Sequence, residues 1–168
     1  MVDKRKWLMW LVETLLLVGA VVAFAALAAA ESDEQRPTAM TPTESRMATA
    51  INAYRERHSL PPLAIDATLQ VVARDRAAHC SITTPHQVRG LWPWDDCRRH
   101  GYRGFATENM AFGDISPEDA VDGWARSTVG HWRQMLGQFN ENDRWVDKHF
   151  TKLGVAASGT RWVALFGN

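Results

Sequence analysis

The sequence predicts an α+β fold in which helices pack against an antiparallel sheet, and three observations lead to this prediction. Apolar residues recur at helical spacing after two early capping signals, over 42–58 and 66–80. Two strand-like runs near the end, 151–157 and 161–166, are joined by a Ser-Gly-Thr segment, which is typical of a hairpin. With 168 residues and 46% hydrophobic content, the chain can form one domain with its own core.

Three of the predicted helices have a start signal. Thr41–Glu44 is a capping-box pattern with a proline at the first helical position, and Asp66 is the expected N-cap of the second helix. Ser116–Asp119 begins a third helix, and a further helical turn is expected over 131–136. The run 105–112, which lies between these helices, predicts another strand.

Residues 81–104 are predicted to form a long irregular loop, because prolines and glycines are spread among polar and aromatic residues there. Loops of this length usually carry function or are disordered. Within the loop, Asp95 and Asp96 are expected to be solvated, and a calcium-binding pair is the alternative.

Basic and aromatic side chains are gathered in the same loop, at Trp94, Arg98, Arg99, Tyr102 and Arg103. They could bind an acidic polymer or a phosphate head group. The other interpretation is a charged surface without a ligand, and we favour it at this point. The formal net charge of the whole chain is +0 and its basic residues are otherwise scattered, which excludes a nucleic-acid-binding surface.

The first thirty residues have the pattern of a targeting segment. Lys4–Lys6 is basic and precedes an apolar run, Trp7–Ala30, that ends in small residues. This is a signal peptide or, if it is not cleaved, a signal anchor, and both forms export the rest of the chain. We therefore expect a monomer that is secreted, or anchored with its domain outside the cytoplasm, and that touches the membrane only through this segment. Residues 31–42 form the predicted linker and 43–168 the folded domain.

Export changes the interpretation of the two cysteines. In an oxidising compartment, Cys80 and Cys97 are expected to form a disulfide rather than a metal site or a nucleophile. The alternative is a pair of partly buried free thiols.

Five segments in the same order resemble those of the CAP superfamily, which comprises the cysteine-rich secretory, antigen 5 and pathogenesis-related 1 proteins and includes bacterial SCP-like exported domains. They are Ala50–Arg55, Thr107–Ala111, Asp122–Trp124, Ser127–Arg133 and Phe150–Val155. No single motif is specific, but the order and the spacing together make the resemblance specific. It covers residues from about 43 to 167.

The resemblance implies a three-layer α-β-α sandwich with a central antiparallel sheet, and a cleft that carries two histidines and two glutamates. His86 and His131 are similar in position to the family's histidines, and Glu108 to the glutamate of its Glu-Asn motif. Where the family often has a second glutamate, this chain has Ser127. The resemblance therefore implies a site of three residues instead of four.

Two imidazoles and a carboxylate form an incomplete zinc shell, so we expect His86, His131 and Glu108 to bind Zn²⁺ weakly. Glu108 would act as a ligand, or would orient a histidine from outside the shell. The sequence contains neither a His-Glu-x-x-His helix nor a Gly-x-Ser-x-Gly elbow. We therefore expect a module without turnover that binds an extracellular ligand, a lipid or another small molecule.

Two other functions stay open. The first alternative is a zinc-dependent extracellular hydrolase that acts on cell-wall or other polymer, with Glu108 as the catalytic base. The second is an interaction scaffold whose site is vestigial, which the serine at position 127 would explain. Membership of the superfamily does not distinguish these functions, because proteins with the same fold can have different activities.

Overall fold

In the computed structural model, which describes residues 39–168, a four-stranded sheet lies between two layers of helices. The helices are α1 (Pro42–Arg57), α2 (Ala67–His79), α3 (Pro93–Arg99), α4 (Pro117–Ala125) and α5 (His131–Met135). The strands are β1 (Ala64–Ile65), β2 (Ala106–Phe112), β3 (Gln138–Glu141), β4 (Arg144–Asp147), β5 (Lys152–Ser158) and β6 (Arg161–Gly167). The predicted targeting segment 1–30 and most of the predicted linker lie outside the described residues. Over 39–168, no helix is both long and apolar enough to cross a membrane.

The strand order in the sheet is β1-β5-β6-β2, and the two-stranded β3-β4 hairpin stands apart from it. β5 and β6 are antiparallel, as are β6 and β2, whereas the two-residue strand β1 runs parallel to β5. Helices α1, α4 and α5 cover one face and α2 and α3 cover the other. This arrangement confirms the predicted α+β sandwich of three layers.

The alternation of side chains along the strands supplies both helical layers with a core. In β6, Trp162, Ala164 and Phe166 pack toward α1, α4 and α5, whereas Val163 and Leu165 pack toward α2 and α3. β2 is an edge strand of the same sheet and is paired with β6 in register. Successive residues of β2 therefore project into different layers, Glu108 toward Arg76 of α2 and Asn109 toward His131 of α5.

Three predicted helix starts are confirmed. Thr41 and Glu44 form a reciprocal capping box, and the side chain of Asp66 accepts hydrogen bonds from the second and third residues of α2. Ser116 and Asp119 form a second capping box at the start of α4. Each of these caps satisfies backbone N–H groups that the helix itself leaves unpaired.

The sequence-based prediction lacks the two-residue strand β1, helix α3 and the β3-β4 hairpin. Helix α3 lies inside the segment predicted to be an irregular loop, and its N-cap residue, Trp92, makes no side-chain capping bond. The β3-β4 hairpin turns at Asn142 and Asp143, whose φ angles are +48° and +63°. Two consecutive positive φ angles are typical of a tight hairpin turn, and Asn-Asp is a weaker signal for that turn than Asn-Gly.

The two cysteines are free thiols in this structure, so the predicted disulfide is not formed. Cys80 and Cys97 are 4% and 1% exposed, and both belong to the core between the sheet and α2 and α3. Burial raises the pKa of the Cys97 thiol to about 12. Both side chains therefore pack as small apolar groups.

Candidate functional site

Arg76 lies at the centre of the site, and its side chain is fully buried. Its guanidinium donates to Asp96 Oδ2 (3.0 Å), to Glu108 Oε2 (3.1 Å) and to the main-chain oxygens of His86 (3.0 Å) and Leu91 (3.4 Å). A further bond joins its Nε to Glu108 Oε1. One cation thus holds together α2, α3, strand β2 and the loop that carries His86.

The charge of this cluster is compensated inside the protein. Burial lowers the pKa of Arg76, but the hydrogen bonds and charge of Glu108, and then those of Asp96, outweigh burial and raise that pKa above its usual value. Asp96 is 3% exposed, so the expectation that it is solvated was wrong. A buried arginine needs such carboxylates, because an unpaired charge is very costly to bury.

Glu108 carries the contacts of a residue that orients a histidine. It is 2% exposed and projects from β2 toward α2 and α3. Oε1 accepts from Arg76, and Oε2 accepts from Arg76 and lies 3.0 Å from His86 Nδ1. These contacts support the prediction that Glu108 orients a histidine from outside a metal's ligand shell. Its roles as a zinc ligand and as a catalytic base stay predictions.

His131 is held from the opposite layer, at the first position of α5. Its Nδ1 lies 2.9 Å from Ser127 Oγ, and its main-chain oxygen accepts a bond of 2.9 Å from the Asn109 side chain. Burial, and to a smaller extent the charge of His86, lower the pKa of His131. The two histidines are therefore close enough to influence each other electrostatically, while only His86 is bonded to Glu108.

Ser127 stands where the family pattern often has an acid, and its side chain contacts His131. Because its hydroxyl engages His131 Nδ1, it orients that ring much as Glu108 orients the ring of His86. Within the described range, the Nε2 atoms of both histidines are free of hydrogen bonds to protein groups. Two imidazoles, each anchored at one nitrogen and free at the other, form the core of the site.

Asn109 adds a buried acceptor next to these groups. The side chain is fully buried, its amide donates to the main chain of His131, and its Oδ1 has no partner among residues 39–168. A buried oxygen without a donor is costly, so a water or ligand donor at this atom would be stabilising.

The histidines of the site carry the type of ring nitrogen that a zinc ion accepts as a ligand. No group of three or more histidine, cysteine, aspartate or glutamate side chains within residues 39–168 is placed to hold a metal ion together. His86 and His131 each use Nδ1 for an anchoring contact, the pattern that prepares Nε2 for metal coordination. An ion held by these two histidines alone would have its remaining coordination positions open to water or ligand.

A small cavity adjoins His86. It has a volume of about 180 Å³, is mainly apolar, and is lined by Thr84, Pro85, His86, Gln87 and Trp92. The Trp92 ring, 40% exposed as a residue, stacks on Trp94 with centroids 5.4 Å apart and planes 3° apart. Trp92 thus forms one wall of the cavity beside the histidine, and its ring is stacked on Trp94.

The β3-β4 hairpin covers the start of α5. Gly130 has a φ angle of +98°, and a Cβ atom placed there would lie 2.2 Å from the Trp145 ring. Arg133 stacks on both tryptophan rings that flank it, 4.4 Å from the centroid of Trp132 and 5.2 Å from that of Trp145. This packing requires glycine at position 130 and helps to fix the position of His131.

Arg76 is the site residue that the sequence analysis missed. The predicted apolar stripe of α2 contains Leu69, Val72 and Ala73, and Arg76 continues it at helical spacing. A charge on a buried stripe indicates a buried partner of opposite charge. That signal was present, but it does not say which acid is the partner.

A fall in pH is expected to destabilise the protein partly through His131. Because its folded-state pKa is lowered, the folded protein favours the neutral ring, and the unfolded chain binds more protons near the ordinary histidine pKa of about 6.5. This contribution to stability is present above that pH and is lost as pH falls below it. Urea unfolding of the His131→Gln protein should show a smaller loss of stability between about pH 7.5 and 5 than the unmodified protein.

His149, whose side chain is 85% exposed, supplies the matched control. The His149→Gln protein should keep the full pH dependence. Equal pH dependence in the His131→Gln and unmodified proteins would contradict the buried neutral state of His131.

The three-layer fold and the pair of anchored histidines at its edge define the class of protein. A model of the cysteine-rich secretory protein (CAP) family matches residues 48–163, more than half of the chain, so the chain belongs to this family. The chain is also 30% identical over 137 residues to the protein YkwD of Bacillus subtilis. That alignment covers 77% of this chain and 49% of YkwD, so the chain spans about half the length of that relative.

Solved structures share the fold. An extracellular protein from Bacillus anthracis that contains an SCP domain superposes with a TM-score of 0.62 at 24% identity, covering 77% of this chain and 44% of that one. An outer surface protein of Borrelia burgdorferi gives a TM-score of 0.58 at 21% identity, covering 77% and 96% respectively. At these identities the likeness shows the fold alone.

Proposed function

We propose that this CAP domain works outside the cytoplasm as a binding module that holds Zn²⁺ weakly between His86 and His131 and takes up an extracellular ligand beside it, without turnover. The observation that carries the proposal is the anchoring of both rings at Nδ1, by Glu108 and Ser127, which leaves both Nε2 atoms free. The basic and apolar N-terminal pattern, and the extracellular and outer-surface proteins among the structural neighbours, support the location.

The residues around the histidines determine how such an ion would be held. Glu108 and Ser127 set the ring orientations, a contribution that commonly changes metal affinity by about 10- to 100-fold. Serine at position 127 adds no negative charge, which keeps the affinity low. A bound zinc ion would supply Lewis acidity toward a ligand oxygen or a water.

The contacts of Glu108 favour binding over hydrolysis. A general base needs a carboxylate oxygen free to accept a proton from water. Both oxygens of Glu108 already accept hydrogen bonds from Arg76, and one also contacts His86. This arrangement supports a positioning role, and the hydrolase stays the alternative.

The cavity beside His86 indicates the type of ligand. Its apolar lining and the exposed Trp92 ring fit an apolar or amphipathic molecule, such as a lipid or a comparable small ligand. The polar end of that molecule would lie at His86, where a bound cation could contact it.

Calorimetric titration of the purified protein with ZnCl₂ tests the histidine pair. The unmodified protein should bind one ion, and His86→Ala or His131→Ala should weaken binding at least tenfold because each removes one of two imidazole ligands. Ser127→Ala, which keeps both ligands but loses one anchor, should weaken binding by about tenfold.

His149→Ala, at an exposed histidine away from these contacts, is the control and should bind as the unmodified protein does. Unchanged isotherms in all three test variants (His86→Ala, His131→Ala and Ser127→Ala), or no zinc binding by a folded unmodified protein, would refute the metal part of the proposal.

A further inference from the structure

A second cavity, more polar than the first, lies at the C-terminal end of α3, and the proposed function does not use it. It has a volume of about 420 Å³ and is lined by Arg98, Gly101, Tyr102 and Arg103. The two arginines are exposed, whereas Tyr102 is 8% exposed and forms a buried part of the lining. We propose that this cavity binds a phosphate-type anion between the guanidinium groups of Arg98 and Arg103.

The backbone at the end of α3 places the two arginines on the same cavity. Gly101 N donates to the oxygen of Arg98 (3.0 Å) and Tyr102 N donates to that of Cys97 (3.0 Å), the two bonds that define a Schellman motif. Gly101 has a φ angle of +88°, the left-handed conformation that this motif needs. The chain therefore reverses after the helix, and Arg103 returns to the cavity that Arg98 lines.

The usual structural role of basic residues at a helix end does not explain these arginines. Such side chains often bond to the last helical carbonyls. Here backbone N–H groups of residues 100–102 already satisfy the carbonyls of Asp96, Cys97 and Arg98. Within residues 39–168, the side chains of Arg98 and Arg103 make no hydrogen bond or ion pair, so their donors are available.

The lining beneath the arginines is rigid. The Tyr102 hydroxyl donates to the main-chain oxygen of Asn168 (2.9 Å), and a Cβ atom on Gly167 would lie 2.2 Å from the same hydroxyl. The nearby Asp66 carboxylate is occupied at the N-terminus of α2, where it accepts two backbone N–H bonds. A helix N-terminus offsets part of its negative charge, so Asp66 opposes an anion only weakly.

Two guanidinium forks favour a tetrahedral oxyanion. Each arginine can donate two parallel N–H bonds, and phosphate offers enough oxygens to accept from both. A cavity of about 420 Å³ leaves room for the group to which the phosphate is esterified. Arg99, the exposed last residue of α3, raises the local positive potential further.

Calorimetric or NMR titration of the whole protein with sn-glycerol 3-phosphate, in EDTA and at low salt, tests this site independently of zinc. The unmodified protein should bind it at least tenfold more tightly than acetate, and Arg98→Ala or Arg103→Ala should each weaken binding at least tenfold. Arg144→Ala, at an exposed arginine on β4, is the control and should bind normally. Arg98→Lys keeps the positive charge but loses the two parallel N–H donors of the guanidinium group, so it should bind glycerol 3-phosphate more weakly than the unmodified protein.

Sedimentation with vesicles distinguishes two sources of the phosphate group. If phosphatidylcholine vesicles that contain phosphatidic acid sediment together with the protein, and glycerol 3-phosphate releases it, the phosphate group belongs to a lipid headgroup. If the protein binds glycerol 3-phosphate but does not sediment with the vesicles, the ligand is a soluble phosphate ester. Both results support the site. No binding, equal affinity for acetate, or unchanged binding by both alanine variants would overturn it, whatever the zinc titration shows.

Discussion

Replacement of Arg76 by methionine is expected to lower the free energy of unfolding by about 3–5 kcal/mol, the cost typical of removing one partner of a buried ion pair. The change leaves Glu108 and Asp96, 2% and 3% exposed, without their shared cation. It also removes the bond from the guanidinium to the main chain of His86. Urea unfolding at neutral pH, monitored by circular dichroism, measures the loss.

The exposed pair of Arg46 and Glu118 supplies the control for this prediction. Its atoms lie 2.6 Å apart, but its side chains are 59% and 48% exposed, so Arg46→Met should leave the free energy of unfolding nearly unchanged. Combining Arg76→Met with Glu108→Gln and Asp96→Asn should recover part of the loss, because no unpaired charge then stays buried. A loss below about 1 kcal/mol in the single variant would show that the cluster does not hold the site together.

Gly154→Ala is expected to lower the free energy of unfolding by about 3 kcal/mol, the upper end of the usual cost of overpacking. A Cβ atom on Gly154 would lie 2.3 Å from the backbone carbon and oxygen of Leu69. Backbone atoms cannot move aside by rotating a side chain. Gln70 also ties α2 to the main chain of Val155 through bonds of 2.6 and 3.0 Å, so the helix resists displacement from β5.

Gly123→Ala is the matched control, because this glycine is exposed on α4 and a Cβ atom there meets nothing within 4 Å. Alanine should stabilise that helix by up to about 1 kcal/mol. The two substitutions should therefore shift the urea midpoint in opposite directions. A shift of the same sign in both would contradict the close approach of α2 to β5.

Local signals in the sequence predicted the helical framework well. Thr41, Asp66 and Ser116 are N-caps in the structure, as predicted, and the hairpin of β5 and β6 forms where alternation and a turn indicated it. A cap is a contact within three or four residues, and strand alternation is a local pattern. Helix α3 was missed because its N-cap residue, Trp92, makes no such side-chain contact.

For the site, the family resemblance singled out His86, Glu108 and His131, and the structure bonds the first two directly. The anchoring of His131 by Ser127 was not expected, because that serine was treated as the loss of an acid. Asp96 was expected in solvent but is buried. Its environment depends on a helix that local signals did not predict.

The sequence by itself determined where the helices α1, α2 and α4 begin and which family the segments resemble, because caps and motifs are contacts and patterns within a short stretch of chain. Only the tertiary structure decided that Arg76 is paired with Asp96 and Glu108, which lie 20 and 32 residues further along the chain. The physical reason is that a charge enclosed by several elements must be paired with an opposite charge. Whether a residue is enclosed depends on how the layers pack, which no local segment of the sequence specifies.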